Sequence, residues 1–412
     1  MKRLITNTGS WGTGSGTVAE GVMKELKRKG HETKMFFPDS GIEGPGYEKH
    51  YSQPDLYHIV RFPIVYKGTY FDTFPLMIPD TNPRSTDKAP TYKQLSDRQF
   101  YTYIEFMKKE TKKILEEFKP DVIECQHIWI MDYIVSSLGY KFISVAHHSD
   151  QLGFAYDERM QPMTIQSAKS AEYIFAISEY VRQQIKDLYA VNDDKVITVY
   201  NGYDQDVFKP MAVDKKSVLS RFGINGKEHL PVITFCGKIS KTKGIDLLLK
   251  ANHILQNNKE VLVVLLGSGV IEERFSSDER KDFCMHNVVH VGHRSPEEVA
   301  LLHNIATLSV LPSRSEGFGI AAIEAMGCGI PLVATKVGGI TEFAVGELIE
   351  IENYEALANG ILNILNISDQ KYQELCDLSI KTARKYSWSN TVDKRLYYYN
   401  RLVETKGQCS NR

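Results

Sequence analysis

Short, continuous runs of apolar residues alternate with stretches of helical periodicity along most of the chain. Because strands buried on both faces read as unbroken apolar runs, this alternation predicts parallel sheets covered by helices. Two such series in one chain predict an α/β fold of two doubly wound, Rossmann-like domains facing an interdomain ligand cleft at the carboxyl ends of the strands. The predicted strands lie at residues 1–7, 122–123, 142–145, 173–177 and 196–199 in the first series, and at 232–235, 261–266, 308–311 and 332–334 in the second.

Turn-forming residues mark the boundary between the two predicted domains. Residues 200–204 read Tyr-Asn-Gly-Tyr-Asp, which is typical of a turn. We therefore expect an N-terminal domain over residues 1–198 and a C-terminal domain over 199–389, followed by a C-terminal helix within 390–412. In that last segment the following apolar residues recur at the spacing of one helix face: Val392, Leu396, Tyr399 and Leu402.

Composition and charge narrow the functional classes. Of the 412 residues, 42% are hydrophobic and 25% charged, as is usual for a globular protein. Lys and Arg total 50 against 51 for Asp and Glu, so the net charge of −1 gives no overall attraction to nucleic acid. No apolar run reaches the roughly 18 residues that span a bilayer, and the first residues do not read as a signal peptide. We expect a cytoplasmic enzyme.

The segment 313–331 carries the most informative chemistry. It reads Ser-Arg-Ser-Glu-Gly-Phe-Gly-Ile-Ala-Ala-Ile-Glu-Ala-Met-Gly-Cys-Gly-Ile-Pro and follows a predicted strand. Gly317 and Gly319 allow backbone amides at a helix start to approach a ligand, and such a terminus attracts anions. Glu316 precedes this helix and Glu324 lies in its second turn, where carboxylates suit vicinal hydroxyls. The alternative makes Glu316 a partner of the helix dipole and Glu324 a solvated surface residue.

Glu316 and Glu324, separated by seven residues in this context, resemble the signature of the retaining glycosyltransferases of family 4, which have the GT-B fold. Residues 235–246, Phe-Cys-Gly-Lys-Ile-Ser-Lys-Thr-Lys-Gly-Ile-Asp, resemble the family segment whose two cations bind the donor pyrophosphate. The resemblance implies that Lys238 and Lys243 stabilise the departing diphosphate in place of a metal ion. Lys238 stands where the family usually has arginine, whose bidentate fork an ammonium group does not reproduce.

The resemblance implies transfer of a sugar from a nucleotide sugar, with a UDP-sugar as the default donor, to an unidentified acceptor hydroxyl, giving an α-glycoside. It implies neither a cofactor nor a metal ion. Glu324 is expected to hold the ribose hydroxyls, and the C-terminal helix is expected to cross back to the N-terminal domain. The transferred sugar is expected to contact Glu316 and the backbone amides of the residues that follow it: Gly317, Phe318 and Gly319.

In the N-terminal domain the resemblance implies three kinds of role. Gly16, in the glycine-rich turn after the first strand, is expected to lie against the donor phosphate. His147, at the end of a strand, is expected to contact the transferred sugar, near its 6-hydroxyl, and His148 follows where a glycine is usual. Asp150 and His127 are acceptor-side candidates, with loop orientation and core packing as their structural alternatives. Glu124 and Gln126 stand where the family often carries histidines.

Residues 38–90 contain eight of the fifteen prolines, so they are predicted to form a loop-rich insertion on the first domain. This insertion is either surface decoration or a wall that contacts the acceptor. Lysine-rich stretches at 24–29 and 108–113 are either solvated helix faces or a weak peripheral contact with the inner face of a membrane. Two other functions remain open: a sugar-nucleotide 2-epimerase, and a non-catalytic protein that binds sugar nucleotides.

Overall fold

The computed structural model describes residues 1–44, 46–79 and 89–409, and the side chains up to residue 404. The chain forms two compact units. The first comprises Met1–Tyr200 with Trp388–Arg412, and the second comprises Asn201–Ser387. Two prolines of the predicted insertion, Pro45 and Pro83, lie outside the described residues, as does the end of the expected C-terminal segment at 410–412.

The first unit is built on one parallel sheet and a small antiparallel hairpin. Its strands are β1 (Lys2–Asn7), β2 (Glu32–Asp39), β3 (Tyr57–Arg61), β4 (Ile64–Tyr66), β5 (Thr69–Phe71), β6 (Val122–Gln126), β7 (Ile143–Ala146), β8 (Tyr173–Ala176) and β9 (Val196–Thr198). Its helices are α1 (Gly14–Arg28), α2 (Tyr47–Tyr51), α3 (Asp97–Phe118), α4 (Ile130–Ser137), α5 (Ser149–Tyr156), α6 (Gln161–Ser170), α7 (Glu179–Tyr189) and, at the chain end, α16 (Trp388–Cys409).

The sheet of the first unit has the order β3-β2-β1-β6-β7-β8-β9, with β4 and β5 paired separately. All of its pairings are parallel. The strand order reverses direction at β1, which lies between β2 and β6. Loops that leave neighbouring strands in opposite directions open a crevice at such a point, at the carboxyl ends of the strands. This geometry places the loops after β1, β6 and β7 at one edge of the sheet.

The second unit is built on a six-stranded parallel sheet of order β12-β11-β10-β13-β14-β15. Its strands are β10 (Val232–Cys236), β11 (Leu262–Leu266), β12 (Val288–Gly292), β13 (Leu308–Leu311), β14 (Leu332–Thr335) and β15 (Gly346–Ile349). Its helices are α8 (Lys215–Arg221), α9 (Ile245–Asn258), α10 (Ile271–Arg274), α11 (Ser277–Arg280), α12 (Pro296–Asn304), α13 (Ile320–Gly327), α14 (Tyr354–Asn366) and α15 (Asp369–Ala383).

The predicted strands are confirmed to within a few residues in both units, and the α/β class is confirmed with them. The region 38–90, predicted to be a loop-rich insertion, also contributes a strand to the main sheet. β3 lies inside that region and pairs with β2 as the edge strand of the seven-stranded sheet. Its burial alternates irregularly, as expected for a strand with a neighbour on one side only, so it lacks the apolar run of a central strand.

The C-terminal helix α16 packs within the first unit, against α1 and β6. At the start of α16, the indole of Trp388 fills the space beside Gly21 of α1, where a Cβ atom would lie 2.3 Å from the indole ring. The buried face of α16 contains Val392, Tyr399 and Leu402 as predicted, and it also contains the fully buried Arg395. In the described part of the chain, no helix combines the length and apolarity needed to cross a membrane.

Candidate active site

Two loops at the carboxyl edge of the second sheet bring Lys243 and Glu316 together. Lys243 ends the loop between β10 and α9, and Glu316 lies in the loop between β13 and α13. The Lys243 Nζ atom lies 2.5 Å from Glu316 Oε2, and Ser313 Oγ donates to the same oxygen at 3.3 Å. The two side chains are 32% and 14% exposed, so a ligand can reach the pair without unfolding the loops.

Glycines allow these loops to approach one another at backbone distance. Gly244 has a φ of +69°, and a Cβ atom there would lie 1.8 Å from the carbonyl oxygen of Pro312. Gly338, after β14, has a φ of +51°, and a Cβ atom there would lie 1.6 Å from the carbonyl oxygen of Glu316. Any other residue at either position would push the two neighbouring loops apart. The backbone of Glu316 is therefore held in place by the loop after β14.

Arg314 fastens the same loops together with its backbone and its side chain. Its amide donates to Thr242 O at 2.8 Å, and its guanidinium makes paired hydrogen bonds to Asp246 at 2.8 and 2.9 Å. The guanidinium also pairs with Glu352, after β15, at 2.7 Å. The two carboxylates, Asp246 first, raise the pKa of Arg314 above its usual value. Arg314 therefore ties the segment before Glu316 to both flanks of Lys243.

Lys238, Gly319 and Phe318, also predicted for this site, differ in how far they are buried. Lys238 is half-buried in the β10–α9 loop, the loop that also carries Lys243. Gly319, with a φ of +96°, caps the start of α13. Phe318 is only 2% exposed and packs against Phe343 and Tyr386, at ring distances of 5.1 and 5.7 Å. The side chain of Phe318 therefore belongs to the core, and the contact expected between its backbone amide and the transferred sugar stays a prediction.

Glu324 lies in the second turn of α13, one turn further along than the start that Gly319 caps. Burial, followed by the negative charge of Asp204, raises the pKa of Glu324 to about 8. A solvated helix carboxyl group would not show such a shift. The interpretation of Glu324 as an ordinary surface residue is therefore disfavoured.

In the first unit, the loop after β1 encloses Gly16. The hydroxyl of Thr13 caps α1 by accepting a hydrogen bond from the Gly16 amide at 3.2 Å. A Cβ atom at Gly16 would lie 3.0 Å from Ser10 O and 3.1 Å from the Trp11 Cα, so a larger residue would crowd the backbone of the preceding loop. The Gly16 amide is thus engaged within its own loop, and its contact with a donor phosphate stays a prediction.

His147 follows β7, and Asp150 fixes the backbone around it. Asp150 is fully buried, and its two carboxylate oxygens accept hydrogen bonds from the amides of His147 and Ile128, both at 2.9 Å. This carboxylate therefore joins the loops after β6 and β7. The loop-orienting role expected for Asp150 accounts for these contacts, whereas direct contact with an acceptor would require the side chain to leave them.

His127 and His147 lie side by side at these strand ends, with ring centroids 5.0 Å apart. His127 is 3% exposed, and its Nδ1 atom has no hydrogen-bond partner among the residues that the structure describes. Burial lowers the pKa of both imidazoles, and for His147 the neighbouring His127 and Arg395 lower it further. His148 has a φ of +73°, which lies in the left-handed region that favours glycine, the residue that is usual in the family at this position.

Sequence reasoning missed the residues that support these groups. Arg314 stands inside the recognised motif, so its charge was visible, but its partners Asp246 and Glu352 are 68 and 38 positions away. Glu124 and Gln126 were noted only as departures from the family pattern. Over residues 1–44, 46–79 and 89–409, no three or more His, Cys, Asp or Glu side chains are arranged to hold a metal ion.

Two family models together match most of the chain. The model described as Glycosyltransferase Family 4 matches residues 12–207, and the model described as Glycosyl transferases group 1 matches residues 219–386. A glycosyltransferase of Methanocaldococcus jannaschii is 26% identical over 76% of this chain and 84% of its own length. The D-inositol 3-phosphate glycosyltransferase of Mycobacteroides abscessus is 30% identical over 53% of this chain. The chain spans 49% of that relative's length.

Solved structures share the fold at low identity. The match to sucrose-phosphate synthase from Thermosynechococcus elongatus covers 98% of this chain and 100% of the synthase chain, with a TM-score of 0.73 and 17% identity. The match to Anabaena HepE, solved in complex with UDP-glucose, covers 99% of this chain and 100% of the HepE chain, with a TM-score of 0.72 and 15% identity. Both family models and these neighbours agree with the two parallel-sheet units described above. The chain belongs to the family 4 type of glycosyltransferases, enzymes of the GT-B fold.

Proposed function

We propose that this enzyme transfers a sugar from a UDP-sugar to an acceptor hydroxyl with retention of configuration, giving an α-glycoside. The observation that carries the proposal is the Lys243–Glu316 pair at the carboxyl edge of the second sheet, with Nζ and Oε2 2.5 Å apart. A cation and a carboxylate held side by side suit a donor that joins an anionic diphosphate to a polyhydroxylated sugar. HepE, which has the same fold, binds UDP and UDP-glucose, which supports a donor of this class.

Each charge has a defined task in this reaction. When the bond between the anomeric carbon and the diphosphate oxygen breaks, the electron pair leaves with the diphosphate. Lys243 and Lys238 stabilise that charge as it develops, so the proposed reaction needs no metal ion. The bond to the acceptor oxygen forms on the same face of the sugar. The departing phosphate oxygen takes the proton of the acceptor hydroxyl, and no protein base is required.

The carboxyl groups hold the neutral parts of the donor. Glu316 accepts hydrogen bonds from hydroxyls of the transferred sugar. Backbone amides of the loop that leads to Gly319 donate hydrogen bonds to oxygens of the same sugar. Glu324, in its ionised form, accepts two hydrogen bonds from the ribose, one at each carboxylate oxygen. Because burial and Asp204 raise the pKa of Glu324 to about 8, donor binding at neutral pH releases a proton from this group.

A product assay tests the proposal and separates it from its alternatives. The purified enzyme is incubated with UDP-, GDP- and ADP-sugars and a cell extract, and the products are followed by mass spectrometry and proton NMR. We expect UDP and an α-linked glycoside. A β-linked product contradicts retention, and preference for another nucleotide contradicts the donor. An isomerised donor identifies an epimerase, and tight donor binding with no product identifies a binding protein.

Chelation tests the metal-independent part of the proposal. Turnover in excess EDTA is expected to equal turnover in magnesium, since two ammonium groups supply the positive charge. A loss of activity on chelation that magnesium or manganese restores would contradict this assignment.

A further inference from the structure

A buried network of hydrogen bonds in the first unit connects the C-terminal helix to His147. Glu124, in β6, is 1% exposed and accepts hydrogen bonds from Arg395 Nη1 at 2.5 Å and from the Tyr399 hydroxyl of α16. Gln126, also in β6, donates from Nε2 to Glu124 Oε1 at 2.7 Å. The amide oxygen of Gln126 in turn lies 2.7 Å from His147 Nε2. Two side chains, Glu124 and Gln126, thus link α16 to the strand end that bears His147.

The chemistry of these groups fixes the direction of every hydrogen bond. Arginine and the tyrosine hydroxyl donate to Glu124, whose carboxylate oxygens accept. Gln126 must therefore turn its NH₂ group toward Glu124, which leaves its carbonyl oxygen facing His147. A carbonyl oxygen only accepts, so His147 Nε2 must carry a hydrogen. In the neutral ring the other nitrogen, Nδ1, is then an acceptor.

The surroundings of His147 favour the neutral ring. Burial, the neighbouring His127 and the cation of Arg395 all hold the pKa of His147 well below its usual value. The Nδ1 atom has no hydrogen-bond partner within the described residues. The ring is only half-buried, and Asp150 fixes its backbone. His147 therefore has a fixed ring nitrogen that accepts, and no group of the first unit uses it.

We propose that Glu124 and Gln126 lock His147 in its Nε2–H form, so that Nδ1 accepts a hydrogen bond from a substrate hydroxyl and selects a hydroxyl-bearing sugar over a sugar acid. The inference rests on the proposed function, because it takes a sugar hydroxyl as the donor to Nδ1. A hydroxyl donates to the Nδ1 lone pair. A carboxylate in the same place would bring a second hydrogen-bond acceptor against the Nδ1 lone pair. Its negative charge would also have no partner there. Gln126 is thus a positioning residue for sugar selection.

Nitrogen-15 NMR of histidine-labelled enzyme tests the tautomer without any substrate. The signals of His147 are assigned by their loss in the His147→Gln variant. We expect Nε2 to resonate as a protonated nitrogen and Nδ1 as an unprotonated one in the wild type at neutral pH. The opposite assignment, or a doubly protonated ring, overturns the proposal whether or not any nucleotide sugar is turned over.

Gln126→Met tests the consequence for selection. It removes the acceptor of His147 and leaves Glu124 with its partners on α16. Gln184→Met is the matched control, because Gln184 Oε1 lies 2.8 Å from the Nδ1 atom of the adjacent His148. Circular dichroism and thermal unfolding identify any variant that fails to fold, and if Gln126→Met fails, Gln126→Leu replaces it, since leucine also removes the acceptor of His147.

The measurement is kcat/KM for UDP-glucose and for UDP-glucuronate, which carry a hydroxyl and a carboxylate at the same carbon. We expect Gln126→Met to lower the preference for UDP-glucose by roughly 5- to 100-fold, as for the loss of one oriented hydrogen bond, and Gln184→Met to leave it unchanged. An unchanged preference in Gln126→Met overturns the proposal. A wild type that binds neither UDP-sugar, by calorimetry, contradicts the proposed function instead, and the NMR result still decides the tautomer.

Discussion

The Lys243 ammonium lies 2.5 Å from Glu316 Oε2, although the two residues are 73 positions apart in the chain. Each belongs to a different loop, and both loops leave neighbouring strands, β10 and β13, at their carboxyl ends. The pair exists because the parallel sheet brings these ends together and because glycines let the loops touch. The proposed donor site is therefore a property of the second unit as a whole.

Replacing Glu316 by Gln is expected to lower kcat about 10²- to 10³-fold, because the substitution removes a charged acceptor that is positioned before the reaction begins. Steady-state kinetics with the UDP-sugar identified by the product assay measures the effect. Glu279→Gln is the matched control, since Glu279 pairs with Lys241 at the surface. A Glu316→Gln enzyme with a kcat equal to that of the control contradicts the role given to Glu316.

Replacing Arg314 by Lys is expected to lower kcat about tenfold with a smaller change in the donor KM. Lysine keeps the charge but loses the paired bonds to Asp246, so the loop before Glu316 loosens while the ligand-binding groups remain. Arg221→Lys is the control, because Arg221 contacts Glu298 at 3.5 Å near the surface. Equal kinetics in the two variants contradicts the positioning role of Arg314.

Replacing Glu324 by Ala is expected to raise the donor KM roughly 10- to 100-fold, with kcat nearly unchanged. The ribose hydroxyls lie away from the reacting bond, so their contacts strengthen substrate and transition state alike. Kinetics at saturating and limiting donor separate the two parameters. A loss confined to kcat contradicts the assignment of Glu324 to the ribose.

The raised pKa of Glu324 predicts how stability depends on pH. This carboxyl group has a pKa of about 8 in the folded protein against 4.5 for an unperturbed group, so the folded state holds the proton more tightly. Stability is therefore expected to fall as the pH rises from 4.5 to about 8, by at most about 1.4 kcal/mol per pH unit from this group. Above pH 8 no further change arises from it.

Urea denaturation of wild type and Glu324→Gln across that pH range checks this dependence. Glutamine resembles the protonated acid and does not titrate, so the variant is expected to gain stability relative to wild type as the pH rises. Parallel stability curves for the two proteins contradict the pKa assigned to Glu324.

The central strands of both sheets could be predicted from sequence because burial on both faces leaves an unbroken apolar run. Three of the strands that were missed, β3, β12 and β15, lie at sheet edges and are only partly buried. Edge strands face solvent or loops on one side, so polar residues interrupt their pattern. β2 is central, but it opens on Glu32, Thr33 and Lys34 and ends in Pro-Asp, which hides its apolar middle.

Within the site, the residues that form local motifs were predictable and their supports were not. Lys243 and Glu316 lie in recognisable segments, and the structure brings them together. The partners of Glu124 on α16 are 271 and 275 positions away, and no local pattern announces a contact made by topology.

Calorimetric titration of UDP into wild type, Lys243→Ala and Lys241→Ala tests the donor site most directly. Lys241 lies two positions from Lys243 and pairs with Glu279 at the surface, so its variant removes an equal charge nearby. We expect wild type and Lys241→Ala to bind UDP with the same Kd, and Lys243→Ala to bind it at least about tenfold more weakly. The same Kd for all three proteins would contradict a donor diphosphate held by Lys243.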